Sequence, residues 1–259
     1  MRKTQKSLAI VLLVFFVSCA SSQKKIEQAR EKDPKYQYNV GLFYLNSNNV
    51  DEAIRYLNRS LSLDPRYYLA CNALGLAYSM KGNIQESIKH YQRCLEIAPN
   101  FSEARNNLGT AYQEIGYIDK AEEEFKRVLA DPEYANKELP YYNLARLYFV
   151  RQNFDQALAS AETALKLNGR LAMAHNLRGL ILEAQGRVPD AIESYKQALK
   201  LVPNEVNFNF NLGAAYFKNN EWLRAAEVLE KITTQVTDPE MRDKLNLYLK
   251  AIKEKKQPA

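Results

Sequence analysis

An all-α array of repeated helix pairs is the fold class this 259-residue sequence predicts, and three observations predict it. The first is a fixed period. A small residue in the pattern Leu/Val-Gly-x-x-Tyr recurs at Gly41, Gly75, Gly109, Ala145, Gly179 and Gly213, in steps of 34, 34, 36, 34 and 34 residues. A period of that length marks a stack of supersecondary units rather than one globular core. The second is helical spacing after each anchor. Twelve residues on stands Ala53, Ser87, Ala121, Ala157, Ala191 or Ala225, and four further on stands Leu57, Tyr91, Phe125, Ala161, Tyr195 or Leu229. Three beyond that come Ser60, Cys94, Val128, Ala164, Ala198 and Ile232, so all three positions share one helix face. The third is punctuation. Turn formers such as Asn46-Ser47-Asn48-Asn49, Lys81-Gly82-Asn83 and Gln185-Gly186-Arg187 separate the two halves of a unit, and Pro65, Pro99 and Pro203 close units.

Each unit therefore reads as helix A, tight turn, helix B and stop. The anchor lies on helix A, and its smallness lets helix B approach while a larger side chain fills the gap. A change such as Gly109→Leu is expected to cost roughly 1–3 kcal/mol through overpacking. These residues resemble the tetratricopeptide repeat family, although Arg178 and Leu182 replace the usual Leu and Tyr of the fifth unit. The resemblance implies a right-handed superhelical solenoid of six tetratricopeptide helix-turn-helix repeats, at 34–67, 68–101, 102–137, 138–171, 172–205 and 206–239. A capping helix and tail are expected over 240–259, where Met241, Leu245, Tyr248, Leu249 and Ile252 fall on one face.

The N-terminus reads as an export signal. Arg2, Lys3 and Lys6 precede the apolar run Leu8 to Val17, which is too short to span a bilayer. Phe16-Val17-Ser18-Cys19 is similar to a bacterial lipobox. That resemblance implies removal of residues 1–18, lipidation of Cys19 and a polar tether over 19–33. Ala20, rather than Asp, follows the cysteine, which in lipoprotein sorting implies the outer membrane, with the array facing the periplasm. At about 0.8 kcal/mol per buried methylene, several acyl chains would hold the protein firmly.

Composition excludes several functions. The chain carries +6 at neutral pH, and removing the three positive charges of the signal leaves +3 spread without a basic block, so nucleic acid is not expected as a partner. His90 and His175 are the only histidines, in different repeats and without ligand-spaced neighbours. No phosphate loop, Cys-x-x-Cys pair or nucleophile motif is present. The expectation is a protein without enzyme activity, cofactor, metal or small-molecule substrate. Cys71 and Cys94, on the two helices of the second unit, read as small apolar residues, with a disulfide as the alternative in an oxidising compartment.

The binding signal lies on helix A. Two or three places before the anchors, asparagine recurs at Asn39, Asn72, Asn106, Asn107, Asn143, Asn176 and Asn211. An amide that donates and accepts can grip a peptide backbone whatever its side chains. Packing between neighbouring units is the competing role. Large apolar groups interleave: Tyr38 and Leu45, Tyr142 and Phe149, Phe210 and Phe217, which suit partner anchoring or helix packing. Trp222 starts a helix B where the other units have Val or Ile or Phe, and reads as core.

One departure from the period narrows the function. The third-to-fourth step is two residues long at Asp131-Pro132-Glu133-Tyr134-Ala135-Asn136-Lys137-Glu138. With the lipoprotein signal and the number of repeats, this makes the chain similar to the type IV pilus biogenesis lipoproteins, the PilF/PilW pilotin family. The resemblance implies an outer-membrane adaptor that binds a secretin or pilus-assembly subunit and assists secretin assembly or localisation. The alternative is a general periplasmic scaffold for cell-wall or division proteins.

Overall fold

The computed structural model describes residue 27 and residues 29–256. The described residues form two compact units, which divide between Tyr117 and Ile118. The first contains α1 (Pro34–Asn46), α2 (Val50–Leu63), α3 (Tyr68–Met80), α4 (Ile84–Ile97) and α5 (Ser102–Glu114). The second contains α6 (Ile118–Leu129), α7 (Glu138–Val150), α8 (Phe154–Leu167), α9 (Ala172–Ala184), α10 (Val188–Leu201), α11 (Val206–Lys218), α12 (Trp222–Ile232) and α13 (Pro239–Lys256). Odd-numbered helices up to α11 are A helices and even-numbered ones are B helices.

The A-to-B turns are built by two residues each. Asn48, Gly82, Gly116, Gln152, Gly186 and Asn220 all adopt left-handed backbone, with φ between 56° and 79°. Glycine and asparagine tolerate that region, so they terminate helix A cleanly, whereas Gln152 accepts it at some cost. After Asn48, Gly82 and Gln152 the next residue caps helix B, whereas Arg187 and Glu221 make no side-chain cap bond. The side chains of Asn49, Asn83 and Asn153 accept from the backbone N–H of Glu52, Glu86 and Gln156, each at 3.4 Å. An Asn followed three places later by Glu or Gln is the capping-box arrangement.

Inside a repeat, the anchor glycine receives one large side chain from helix B. A Cβ on Gly41 would lie 2.7 Å from Cγ of Leu57, and one on Gly213 would lie 2.5 Å from Cδ2 of Leu229. At Gly75 and Gly179 the same Cβ would collide with the rings of Tyr91 and Tyr195. Those receiving side chains are completely or almost completely buried. The smallness of the anchor is thus a steric requirement, met because helix A shows bare backbone where helix B inserts a ring.

Between repeats, a helix A packs on the helix B before it and on its neighbouring A helices. Residues four places before the anchor fasten the preceding loop. Gln37 Nε2 donates to the Glu31 carbonyl at 3.0 Å, Arg105 Nη2 to Pro99 at 2.6 Å and Asn209 Nδ2 to Pro203 at 3.1 Å. His175 stands at the same position with Nε2 3.0 Å from the Gly169 carbonyl, which gives this histidine a structural role. Exposed polar pairs add a second tie: Lys81 to Asp51 at 2.7 Å, Arg151 to Glu122 at 2.5 Å and Gln185 to Asp155 at 3.0 Å. Such pairs contribute about 0–1 kcal/mol each.

The long junction between α6 and α7 is a compact turn. Asp131 accepts from the Glu133 N–H at 3.0 Å, and Tyr134 buries its ring. At the far end, α13 presents Leu245 and Ile252 to the core, with Met241, Tyr248 and Leu249 partly buried beside them. Trp222 packs partly buried against that cluster, edge-on to Phe217 at 5.0 Å. Cys71 and Cys94 are free thiols in the core of the first unit. Burial raises both thiol pKa values, that of Cys94 to about 12, so neither is a ready thiolate.

Candidate protein-binding face

In each unit, successive A helices touch one another, while among the described residues successive B helices do not. The A layer is therefore the more closely spaced side of each unit. Along an A helix, the positions six and three before the anchor and one and five after it recur at helical spacing, so they form one stripe. In α3 this stripe is Leu69, Asn72, Leu76 and Met80. In α7 it is Leu139, Tyr142, Arg146 and Val150, and in α9 it is Met173, Asn176, Leu180 and Ala184.

The stripe holds apolar side chains in water. Leu76 is 44% exposed, Met80 45%, Val150 62% and Met173 51%. These four were not singled out from sequence. The A helices that carry these four, α3, α7 and α9, are apolar on balance with little contrast between faces, so the exposed stripe is not marked by amphipathicity. Leu76 and Met80 follow Asn72 by four and eight residues, Val150 follows Tyr142 by eight and Met173 precedes Asn176 by three, and that helical spacing is the signal that reveals them.

The asparagines divide into groups. Asn107 Nδ2 donates to Asn72 Oδ1 at 3.2 Å in the first unit, and Asn211 Nδ2 donates to Asn176 Oδ1 at 2.9 Å in the second. Each bond joins neighbouring A helices across a spacing of 35 residues. It links a residue three before one anchor to a residue two before the next. Each amide keeps donor or acceptor capacity after that single bond, so packing and ligand contact are compatible. Asn39 is exposed, whereas Asn106 and Asn143 are buried and already have polar contacts.

The aromatic groups also have neighbours. Tyr38 meets Tyr67 edge-on at 5.4 Å, and partial burial raises its phenol pKa. Tyr142 is partly buried with the Arg146 guanidinium 5.9 Å from its ring, and Phe149 tilts against Phe154 at 5.9 Å. Phe210 and Phe217 are met by Tyr248 of α13 at 6.0 and 5.0 Å. The chain's own last helix thus occupies the space beside them. Leu45 is buried. His90 stacks on Tyr78 at 5.2 Å, and burial lowers its pKa, favouring a neutral ring.

Among the described residues, no group of three His, Cys, Asp or Glu side chains is placed to hold a metal ion. No described helix is long and apolar enough to cross a membrane. Cys19 lies outside the described residues.

Profiles of the tetratricopeptide repeat match residues 34–67, 68–101, 90–123, 142–205 and 184–238, together more than half of the chain. The chain belongs to the tetratricopeptide repeat family. Among curated proteins, surface lipoprotein assembly modifier 1 of Neisseria meningitidis serogroup B is 28% identical over 78 residues, 30% of this chain. The match spans only 16% of that relative's length. Among solved structures, PilF of Pseudomonas aeruginosa superposes with a TM-score of 0.72 at 16% identity, over 85% of this chain and 99% of that one. PilW, described as a widely conserved type IV pilus biogenesis factor, gives 0.75 at 16% identity, over 82% and 97%. A chain of the APC/C Cut9–Hcn1 hetero-tetramer gives 0.77 at 20% identity, but this tetratricopeptide repeat chain covers only 43% of it. At these identities the likeness is one of fold.

Proposed function

We propose that this chain is a lipid-anchored outer-membrane adaptor that binds a secretin or pilus-assembly subunit through its A-helix face. It thereby assists secretin assembly or localisation in type IV pilus biogenesis. The observation that carries the binding role is the exposed apolar stripe, Leu76 and Met80 in one unit and Val150 and Met173 in the other. Solvent-facing leucine and methionine beside amide groups suit a partner segment that needs apolar pockets and backbone hydrogen bonds together. Asn39, Asn72, Asn107, Asn176 and Asn211 supply the amides, with Tyr38, Tyr142 and Phe149 as flanking aromatics. Support for the pilus assignment is the end-to-end likeness of fold to PilF and PilW, the lipobox-like Phe16-Val17-Ser18-Cys19 and the long third junction.

A second reading, a general scaffold of envelope assembly, is favoured by the sequence match to the Neisseria surface lipoprotein assembly modifier. Fractionation of cells carrying Cys19→Ala separates the two. On the pilus reading the variant leaves the outer membrane, and the cell's secretin ceases to form heat-stable multimers there. Normal secretin multimers alongside a displaced adaptor would leave the scaffold reading standing in place of the pilus one.

A further inference from the structure

The second repeat carries a cysteine on each of its helices, Cys71 on α3 and Cys94 on α4. They stand four places before and nineteen after the anchor Gly75. At the first position the other repeats have Gln37, Arg105, Tyr141, His175 and Asn209, four of which reach the preceding loop. At the second they have Ser60, Val128, Ala164, Ala198 and Ile232. In the second repeat that loop is held from helix B instead, by Arg93 Nη2 donating to the Pro65 carbonyl at 3.0 Å, so Cys71 has no such task. The register of the pair follows from the anchor contact, since a Cβ on Gly75 would lie 2.4 Å from Cε1 of Tyr91. One turn back along α3 is Cys71, and about one turn onward along α4 is Cys94. The short turn between the helices makes them antiparallel, so the two thiols are level. Ser60 shows how far the same helix B position reaches, donating to the Pro34 carbonyl in the first turn of α1 at 2.7 Å. Both cysteines are completely buried in one apolar cluster. Burial raises the Cys94 thiol, the facing Cys71 adds to that effect, and the Asn72 N–H beside Cys71 opposes it, so residues 71, 72 and 94 are neighbours.

We propose that Cys71 and Cys94 form a disulfide in the exported protein, clamping α3 to α4 at the end of the repeat away from their turn. The bond rests on the outer-membrane reading above, because an oxidising compartment is what lets it form and persist. The small anchor one turn away brings the helices close, which suits the short Cα separation of about 4.4–6.8 Å that a disulfide requires. The structure shows the pair in its reduced form. Oxidation needs a disulfide donor, either a thiol–disulfide oxidoreductase or a small-molecule disulfide. One cysteine thiolate attacks the donor's disulfide, forming a mixed disulfide and releasing one donor sulfur as a thiolate. The other cysteine then attacks the mixed disulfide, closing the Cys71–Cys94 bond and releasing the second donor sulfur. The donor thus takes up two electrons, and the two protons of the cysteines pass to its thiols. Because burial leaves little thiolate in the closed pair, the exchange belongs to the folding chain, before α4 covers Cys71. After closure the same burial keeps reductants away.

Refolding tests the pairing apart from the compartment. The full-length protein, made as Cys19→Ala to remove the third thiol, is unfolded and reduced, then refolded with oxidised glutathione, blocked with iodoacetamide and cut with trypsin. The expected product is residues 67–81 joined to residues 94–105. The oxidised protein should melt at least about 4 °C above its reduced form, and Cys71→Ala with Cys94→Ala should abolish that difference. Cysteines blocked or glutathionylated separately, links only between molecules, or equal melting of the two forms overturns the proposal. Wild-type cells quenched in acid and alkylated test the compartment, and the same joined peptides should come from the envelope fraction. Free thiols in a chain that has lost its signal and carries lipid overturn the proposal while leaving the outer-membrane reading intact. A chain that keeps its signal and stays out of the envelope contradicts that reading, and refolding alone then decides the pairing.

Discussion

The A and B helices of this protein solve the same packing problem from opposite sides. A B helix turns its main apolar face to the core and pairs many of its outer charges with one another, although Leu167 of α8 and Leu223 of α12 are exposed. Arg55 pairs with Glu52, Lys89 with Glu86 and Arg127 with Glu123, each at 2.5 Å, and Lys196 pairs with Glu193 at 2.9 Å. An A helix such as α3 or α9 is covered by its own helix B, by the preceding one and by neighbouring A helices, so much of its surface is apolar. The uncovered remainder stays apolar at Leu76, Met80, Val150 and Met173. A surface of hydrated, locally paired charges gains little from a partner, whereas exposed apolar area returns about 25 cal/mol per Å² when covered. The proposed binding role rests on that exposed apolar area of the A layer.

The largest expected effect comes from breaking the contact that joins the two layers. Gly75→Leu forces side-chain atoms into the space of the Tyr91 ring, and thermal unfolding followed by circular dichroism should show a loss of about 1–3 kcal/mol or more. Adding Tyr91→Ala should recover part of it, because the same space is then vacated. A smaller effect is expected within the A layer. Asn72→Ala and Asn107→Ala should each cost about 0.5–1.5 kcal/mol, and the double variant should cost less than their sum, since one shared hydrogen bond is lost. Strict additivity in denaturant titrations would mean that the amides act independently of each other.

Much of this fold was legible in the residues. Gly75 and Tyr91, sixteen places apart, announce the A–B contact, and Asn83 with Glu86 announces the start of a helix. The face carrying the candidate site was legible through Asn72 and Asn176, but its exposed members were not, because Leu76 and Met173 sit in helices without an apolar–polar contrast. The asparagine pairing was also visible in principle, as residues three and two before successive anchors. Phe210 and Phe217 look like groove residues from spacing alone. Their surroundings depend on where α13 lies, and no repeat period specifies the position of a terminal helix. Phe43 shows the opposite case, a position that is core in every later repeat but exposed here, where among the described residues no full helix B precedes it.

Affinity for the periplasmic region of a secretin, the proposed partner, compared across the two layers, tests the central claim most directly. Purified chain 19–259 would be titrated by calorimetry as wild type, as Leu76→Glu with Met173→Glu, and as Glu123→Ala with Glu193→Ala. The A-face pair should keep its melting behaviour, since exposed positions tolerate substitution within about 0.5 kcal/mol. It should lose at least tenfold in affinity, a change of about 1.4 kcal/mol. The B-face pair should bind as the wild type does. Unchanged affinity for the A-face pair, or a loss confined to the B-face pair, would contradict the assignment of binding to the A helices.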